Sequence, residues 1–220
     1  MTNDNYDFQK QFILSQKDYR TKLDFLNWYR FFFIIKEALL INPKSILEIG
    51  PGEGTIKNIL QPHINMYETF DVNSNLNPTH LGDIRTADNK LKGQYDCVIA
   101  ADILEHIPFE DLEKALQNIH GYLKKDGVAL ITIPHRAWFI FWMTWLFGYR
   151  RFLWRFPDWL RTLYQRFRGR RTNPIDPDHL WEIGDGRCTI KNVEEIMKTA
   201  GFKIEKRLKL IYVDFWTLIK

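Results

Sequence analysis

Cysteine is scarce in this 220-residue chain: Cys97 and Cys188 are the only two, far apart and outside any CxxC pair. That excludes a disulfide scaffold, a zinc ribbon and a thioredoxin-like redox motif, and it fits a reducing compartment. Any metal would have to be held by histidine and carboxylate. Glycine and proline are also few, 12 and 9 residues, which excludes collagen-like and low-complexity chains. With 45% hydrophobic and 26% charged residues, the composition is globular, and one domain is expected because single cores stop growing near ~250 residues. No basic-then-apolar leader opens the chain; MTNDNYDF is polar and acidic, so a cytoplasmic location is expected. The apolar run Ala137–Phe147 would reach roughly 16 Å as a helix against the ~30 Å of a bilayer core, too short to cross alone.

Aromatic residues are abundant, 15% of the chain, and 13 of the 33 lie between Trp138 and Phe167. Charge is segregated with them. Arg136 to Arg171 holds nine arginines, no lysine and one acid, Asp158, leaving 22 basic against 26 acidic residues elsewhere. A mildly acidic body thus carries a strongly basic segment, which is an argument about partners rather than fold.

Residues 1–42 place Leu23, Leu26, Tyr29 and Phe33 at helical spacing and stop at Asn42-Pro43, predicting an N-terminal helical cap. From Ser45 the period changes: SILEI, a glycine turn, then TIKNIL reads strand, turn, helix. Apolar runs recur at Tyr67–Val72, Tyr95–Ala100 and Val128–Ile133, with a helical stretch Phe109–Leu123. Alternating strands and helices predict a parallel sheet covered on both faces. A helix over Ile190–Ala200 and two closing antiparallel strands, Phe202–Leu210 and Tyr212–Ile219, complete the pattern.

Gly50, Gly52 and Gly54 after the first strand allow close backbone approach to a ligand with an anionic or carboxylate group. The dinucleotide fingerprint needs glycine at its sixth place, here Thr55, so NAD is disfavoured. Asp71 ends the second apolar run, where a carboxylate can accept ribose hydroxyls, and Asp83 follows the turn Leu81-Gly82.

The series LEIGPGEG (47–54), FDVN (70–73), GDI (82–84), YDCVIAADILEHIP (95–108) and LKKDGVALITIP (123–134) resembles the class I S-adenosylmethionine-dependent methyltransferases, over roughly residues 45–134. The resemblance implies an α/β fold: a Rossmann-like, doubly wound, mostly parallel seven-stranded sheet with an antiparallel C-terminal strand and the cofactor across the strand ends. Carried over by position, it implies that the Gly50–Pro51–Gly52–Gly54 loop faces the methionine part of S-adenosylmethionine, Asp71 the ribose, Asp83 with Ile84 the adenine, and Ala101 with Asp102 the sulfonium. Glu48, Val72 and Ile103 complete that cofactor set.

ADILEHIP puts Asp102, Glu105 and His106 at i, i+3 and i+4, one face of a turn where three ligands would converge. This spacing is similar to the D/E-x-x-E-H of metal-assisted O-methyltransferases of ubiquinone biosynthesis and small-RNA ends, in which case Asp102, Glu105, His106 and His179 would hold a divalent metal. The same triplet occurs in metal-free members, where Glu105 bonds locally and His106 lines the pocket, and absence of a metal is the expectation adopted. Methyl transfer to a hydroxyl needs a base. His106 is assigned to the pocket wall and His179 or His135 to the base.

Residues 136–178 are expected to form a helical lid insertion, with Pro157 opening a helix whose Leu160, Leu163, Tyr164 and Phe167 share one side. Five tryptophans and flanking arginines within 137–171 are the composition of an interfacial anchor, attracted to anionic head groups. A plain lid core, a homodimer surface and a nucleic-acid surface are the competing uses, the last disfavoured by the acidic body. The expected activity is O-methylation of a lipid-linked or membrane-surface acceptor by a cytoplasmic protein peripheral to the inner face of the membrane. The alternatives are a soluble small-molecule acceptor, or a non-catalytic scaffold subunit.

Overall fold

The computed structural model describes residues 25–135, 138–143, 151–156 and 178–220. Helix α1 (Phe25–Ile41) leads into β1 (Ser45–Ile49), α2 (Thr55–Leu60), β2 (Met66–Asp71), β3 (His80–Leu81), β4 (Tyr95–Ala101), α3 (Leu112–Tyr122) and β5 (Leu123–Pro134). After the hairpin strands β6 (Trp138–Met143) and β7 (Arg151–Phe156) come α4 (Ile190–Thr199), β8 (Lys203–Lys209) and β9 (Val213–Ile219). The main sheet runs β3-β2-β1-β4-β5-β9-β8. β1 to β5 pair in parallel, and β9 joins β5 and β8 antiparallel. This is the doubly wound sheet expected.

Strand alternation splits the core. Ile46, Cys97, Ile99, Leu130 and Phe215 point to the face covered by Ile34 and Ala38 of α1 and Ile56 and Leu60 of α2. Their neighbours Leu47, Ile49, Val98, Ala100 and Ala129 point to the other, against Leu112, Ala115, Leu116 and Ile119 of α3 and Val193 and Met197 of α4. Both strand faces are buried, which is why the strands read as continuous apolar runs. α3 buries positions 112, 115, 116, 119 and 122, the stripe of an amphipathic helix. α4 starts on a Thr189 side chain that accepts from Asn192 N–H.

Two expectations are corrected. β5 begins at Leu123, before Val128, because Tyr95 pairs with Leu123 across a bulge that Asp126 accommodates in a left-handed conformation, φ +62°. The insertion is not helical where described: Trp138 pairs with Phe156 and Met143 with Arg151 in an antiparallel hairpin. WFIFWM and RFLWRF are dense in aromatic residues, which favour a pleated strand over a helix. Residues 1–24, the bridge 144–150 and the helix expected after Pro157 lie outside the described residues. Among the described residues, no helix is long and apolar enough to cross a membrane.

Candidate active site

The carboxyl ends of β1, β2, β4 and β5 share one edge of the sheet. Strand order reverses there between β1 and β4, leaving the crevice in which open α/β sheets bind ligands. β1 turns into α2 through Gly50, Gly52 and Gly54, with φ of +65°, +54° and +76°. The glycines differ in what demands them. A Cβ on Gly50 would come 2.0 Å from Ile103 Cδ1, whereas at Gly52 nothing lies within 4 Å. Gly50 is therefore set by packing, and the backbone at Gly52 borders open space. Under the loop, Glu48 is buried and accepts a hydrogen bond from the Tyr67 hydroxyl at 2.8 Å. Burial pushes its carboxyl up to about 7, and it pushes the Tyr67 hydroxyl well above its ordinary range.

At the end of β2, Asp71 is buried while the next side chain, Val72, is 65% exposed. Asp71 Oδ1 accepts from Asn73 N–H at 2.8 Å, and burial raises its carboxyl against the pull of the Asn73 and Val72 amides. A buried acceptor beside an exposed apolar residue suits a ligand carrying hydroxyls and a flat ring. Asp83 is engaged by Arg85, whose Nε donates to Oδ1 at 3.0 Å and Oδ2 at 2.9 Å, and that guanidinium holds its carboxyl below the usual range. Ile84 is buried in the core.

Asp102 follows β4 in a left-handed conformation, φ +53°. Its amide donates to the Thr132 hydroxyl at 3.0 Å, the Thr132 hydroxyl donates back to its carboxylate, and Arg30 of α1 pairs with the other oxygen. The convergence of Asp102 with Glu105 and His106 does not occur, because the positive φ turns Asp102 toward α1 and β5. Glu105, His106 and His179 do converge: one ligand atom from each lies within 4.8 Å of the others. Glu105 is fully buried. His179 Nδ1 contacts Glu182 Oε1 at 2.9 Å and its Nε2 lies 3.8 Å from Glu105 Oε1. His106 Nδ1 contacts the Asp178 carbonyl at 3.2 Å, and the two rings meet edge to face. Trp181 anchors this strip by donating to the Ile107 carbonyl at 2.9 Å.

His135, the third histidine, is not among the groups that converge. It is buried, with Nδ1 3.3 Å from Asp214 Oδ2, and it borders a cavity of about 320 Å³ shared with Thr189, Lys191 and Lys209. Arg30, Thr132, Glu182 and Asp214 are absent from the sequence-derived set. Only Glu182 carried a local signal, three residues after His179; Thr132 and Arg30 reach Asp102, and Asp214 reaches His135, from elements 30 or more residues distant in the chain.

The sequence matches the family described as methyltransferase domain over residues 23–207. No curated protein matches it. Among solved structures, the chain is similar in fold to the N-methyltransferase NodS from Bradyrhizobium japonicum in complex with S-adenosylhomocysteine, at 13% identity and TM-score 0.61, covering 98% of this chain and 97% of that one. It is likewise similar to a Burkholderia thailandensis 1,6-didemethyltoxoflavin-N1-methyltransferase, also with S-adenosylhomocysteine, at 13% identity and TM-score 0.59, covering 97% and 85%. A third is an S-adenosylmethionine-dependent methyltransferase from Clostridium acetobutylicum, at 14% and 0.58, covering 97% and 98%.

Proposed function

Because the chain belongs to the methyltransferase-domain family, with S-adenosylmethionine as methyl donor, we propose that it methylates an oxygen of an acceptor presented at a membrane surface. What supports the site assignment is the meeting, at one sheet edge, of an open glycine loop, a buried acid and a histidine cluster. Bound there, the cofactor supplies a methyl group on a cationic sulfur. Gly52 and Gly54 would present bare backbone to it, with Glu48 and Pro51 shaping the loop. Asp71 would accept its hydroxyls, Val72 would offer an apolar platform, and Asp83 with Ile84 would border the ring. Ala101, Asp102 and Ile103 would close the crevice from β4.

His179 is the proposed base. Glu182 takes the Nδ1 side, which fixes ring orientation and leaves Nε2 facing the cluster. His106 walls the pocket. His179 is preferred to His135 as base because His179 converges with Glu105 and His106, whereas His135 is buried against Asp214. Replacing His179 with asparagine is expected to lower kcat by 10²–10⁴-fold with the melting temperature nearly retained; unchanged turnover rejects the assignment. A second reading rests on the same convergence: Glu105, His106 and His179 fit a divalent ion, Mn²⁺ or Zn²⁺ better than Mg²⁺. Activity that survives exhaustive chelation rejects it.

For the acceptor, support comes from the nine arginines and clustered aromatics of 136–171 and from an apolar face on α1. Phe32 and Leu40 are 56% and 70% exposed, and with Trp28, Ile35 and Leu39 they line a groove of about 460 Å³ beside Lys36. Quinone precursors and polyprenyl- or lipid-linked sugars have suitable chemistry. The test is transfer of labelled methyl from S-adenosylmethionine into lipid and aqueous extracts, alongside flotation on anionic liposomes. Label in the lipid fraction and flotation lost when the arginines of 136–171 become glutamine support the reading. Label confined to water-soluble products makes the insertion a lid or a subunit interface.

A further inference from the structure

Asp102 is the residue that first leaves β4 on the side where strand order reverses, and its neighbour Ile103 fills the place of the missing Gly50 Cβ. It therefore stands at the mouth of the crevice. Its φ of +53° is costly for a residue with a Cβ, and such conformations persist where the surroundings over-determine them. Four hydrogen bonds do so here. The amide of Asp102 reaches both the Thr132 carbonyl, at 3.2 Å, and the Thr132 hydroxyl, at 3.0 Å. The same hydroxyl donates to one carboxylate oxygen, and Arg30 Nη1 takes the other. The ion pair is well covered, with the two side chains 13% and 14% exposed. Arg30 also lies over the ring of Phe31, 4.8 Å from its centroid, so α1 delivers the guanidinium from a supported position.

We infer that Arg30 is a positioning residue for methyl transfer, holding Asp102 in its strained conformation and cancelling its charge where the cofactor's sulfur would lie. The inference rests on the cofactor reading proposed above. The sulfonium of the donor is a cation and the thioether left after transfer is neutral. An uncompensated carboxylate beside it would favour the charged ground state and oppose the dispersal of that charge as the methyl leaves. The Arg30 pair removes the bias while Thr132 keeps the backbone in place. The N-terminal helix is thereby a working part of the site and not merely a cover over the sheet.

The discriminating measurement is the ratio of affinities for S-adenosylmethionine and S-adenosylhomocysteine, by calorimetry on the intact protein. Arg30→Met leaves Asp102 charged and unneutralised, so the ratio is expected to move toward the sulfonium by roughly tenfold, the effect of one nearby unit charge in a partly screened site. Arg30→Lys keeps the charge and is expected to keep the ratio. Asp102→Asn strands the guanidinium and is expected to move the ratio the other way, toward the homocysteine. A purely structural tie between α1 and the sheet would weaken both ligands alike, and a ratio unmoved in Arg30→Met overturns the inference. Should that variant not fold, an unmoved ratio in Asp102→Asn overturns it equally. Wild-type protein that binds neither ligand overturns the cofactor reading itself.

Discussion

Gly50 and Gly52 sit two residues apart in one turn, yet substituting alanine at each should give opposite phenotypes. Both hold positive φ, which costs an alanine about 1–2 kcal/mol. At Gly50 the new Cβ must also displace Ile103, whose Cδ1 is 2.0 Å from its ideal position, an overpacking cost of about 1–3 kcal/mol. For a domain of this size each kcal/mol lowers the melting temperature by about 2–4 °C, so Gly50→Ala, at about 3 kcal/mol, should fall by about 6–12 °C. Gly52→Ala carries only the backbone cost and should fall by about half as much. Its Cβ enters the open space where the cofactor is proposed to lie, so cofactor affinity should drop by roughly tenfold or more. Melting curves and calorimetry on both variants, with Ile103→Ala added to Gly50→Ala, test the argument. The third variant should recover the overpacking part of the loss, as contacting residues couple. Equal melting losses at the two glycines, or full affinity in Gly52→Ala, would refute it.

Burial raises the Glu48 carboxyl to about 7 from its ordinary 4.5, so the folded state binds that proton more tightly than the unfolded state does. The stability linked to it is complete below about pH 4.5 and is lost as pH rises through about 7. Glu48→Gln should therefore gain on wild type by of order 1–3 kcal/mol between about pH 5 and pH 8, and parallel melting curves across that range would disprove the linkage. Asp71→Asn should weaken cofactor binding by roughly tenfold, because hydrogen bonds to a charged acceptor exceed those to an amide; calorimetry showing equal affinity counts against Asp71 as the hydroxyl acceptor. Trp181→Phe strands the Ile107 carbonyl that its indole serves, at a cost of about 1–3 kcal/mol. Since Trp181 pins the strip carrying His179, kcat should fall further than KM rises, and an unchanged kcat would separate the strip from catalysis.

The sheet was legible because its signal is local. In β1, β4 and the second half of β5, alternate side chains enter two different cores, so these stretches are mostly apolar, and the glycine turn between SILEI and TIKNIL marked the first crossover. The acids at 71 and 83 were legible for a similar reason, since Asp71 closes β2 and Asp83 follows β3 by two residues. The insertion misled because its aromatic composition, which favours strands, was outweighed by apolar spacing that also suits a helix; pairing partners decide, and Trp138 finds Phe156 only across the intervening segment.

Outside the insertion, the sequence carried the order of strands and helices, the turn with its three glycines, and the presence of acids and histidines at the strand ends. The distant partners of those side chains came only with tertiary packing. Arg30 meets Asp102 across 72 residues, Thr132 meets it across 30, and His135 meets Asp214 from the far side of the insertion. Hydrophobic periodicity records how each segment buries its own face, whereas an ion pair between distant elements leaves no periodic trace. It exists only once packing has brought the two charges to the same place and removed the water between them.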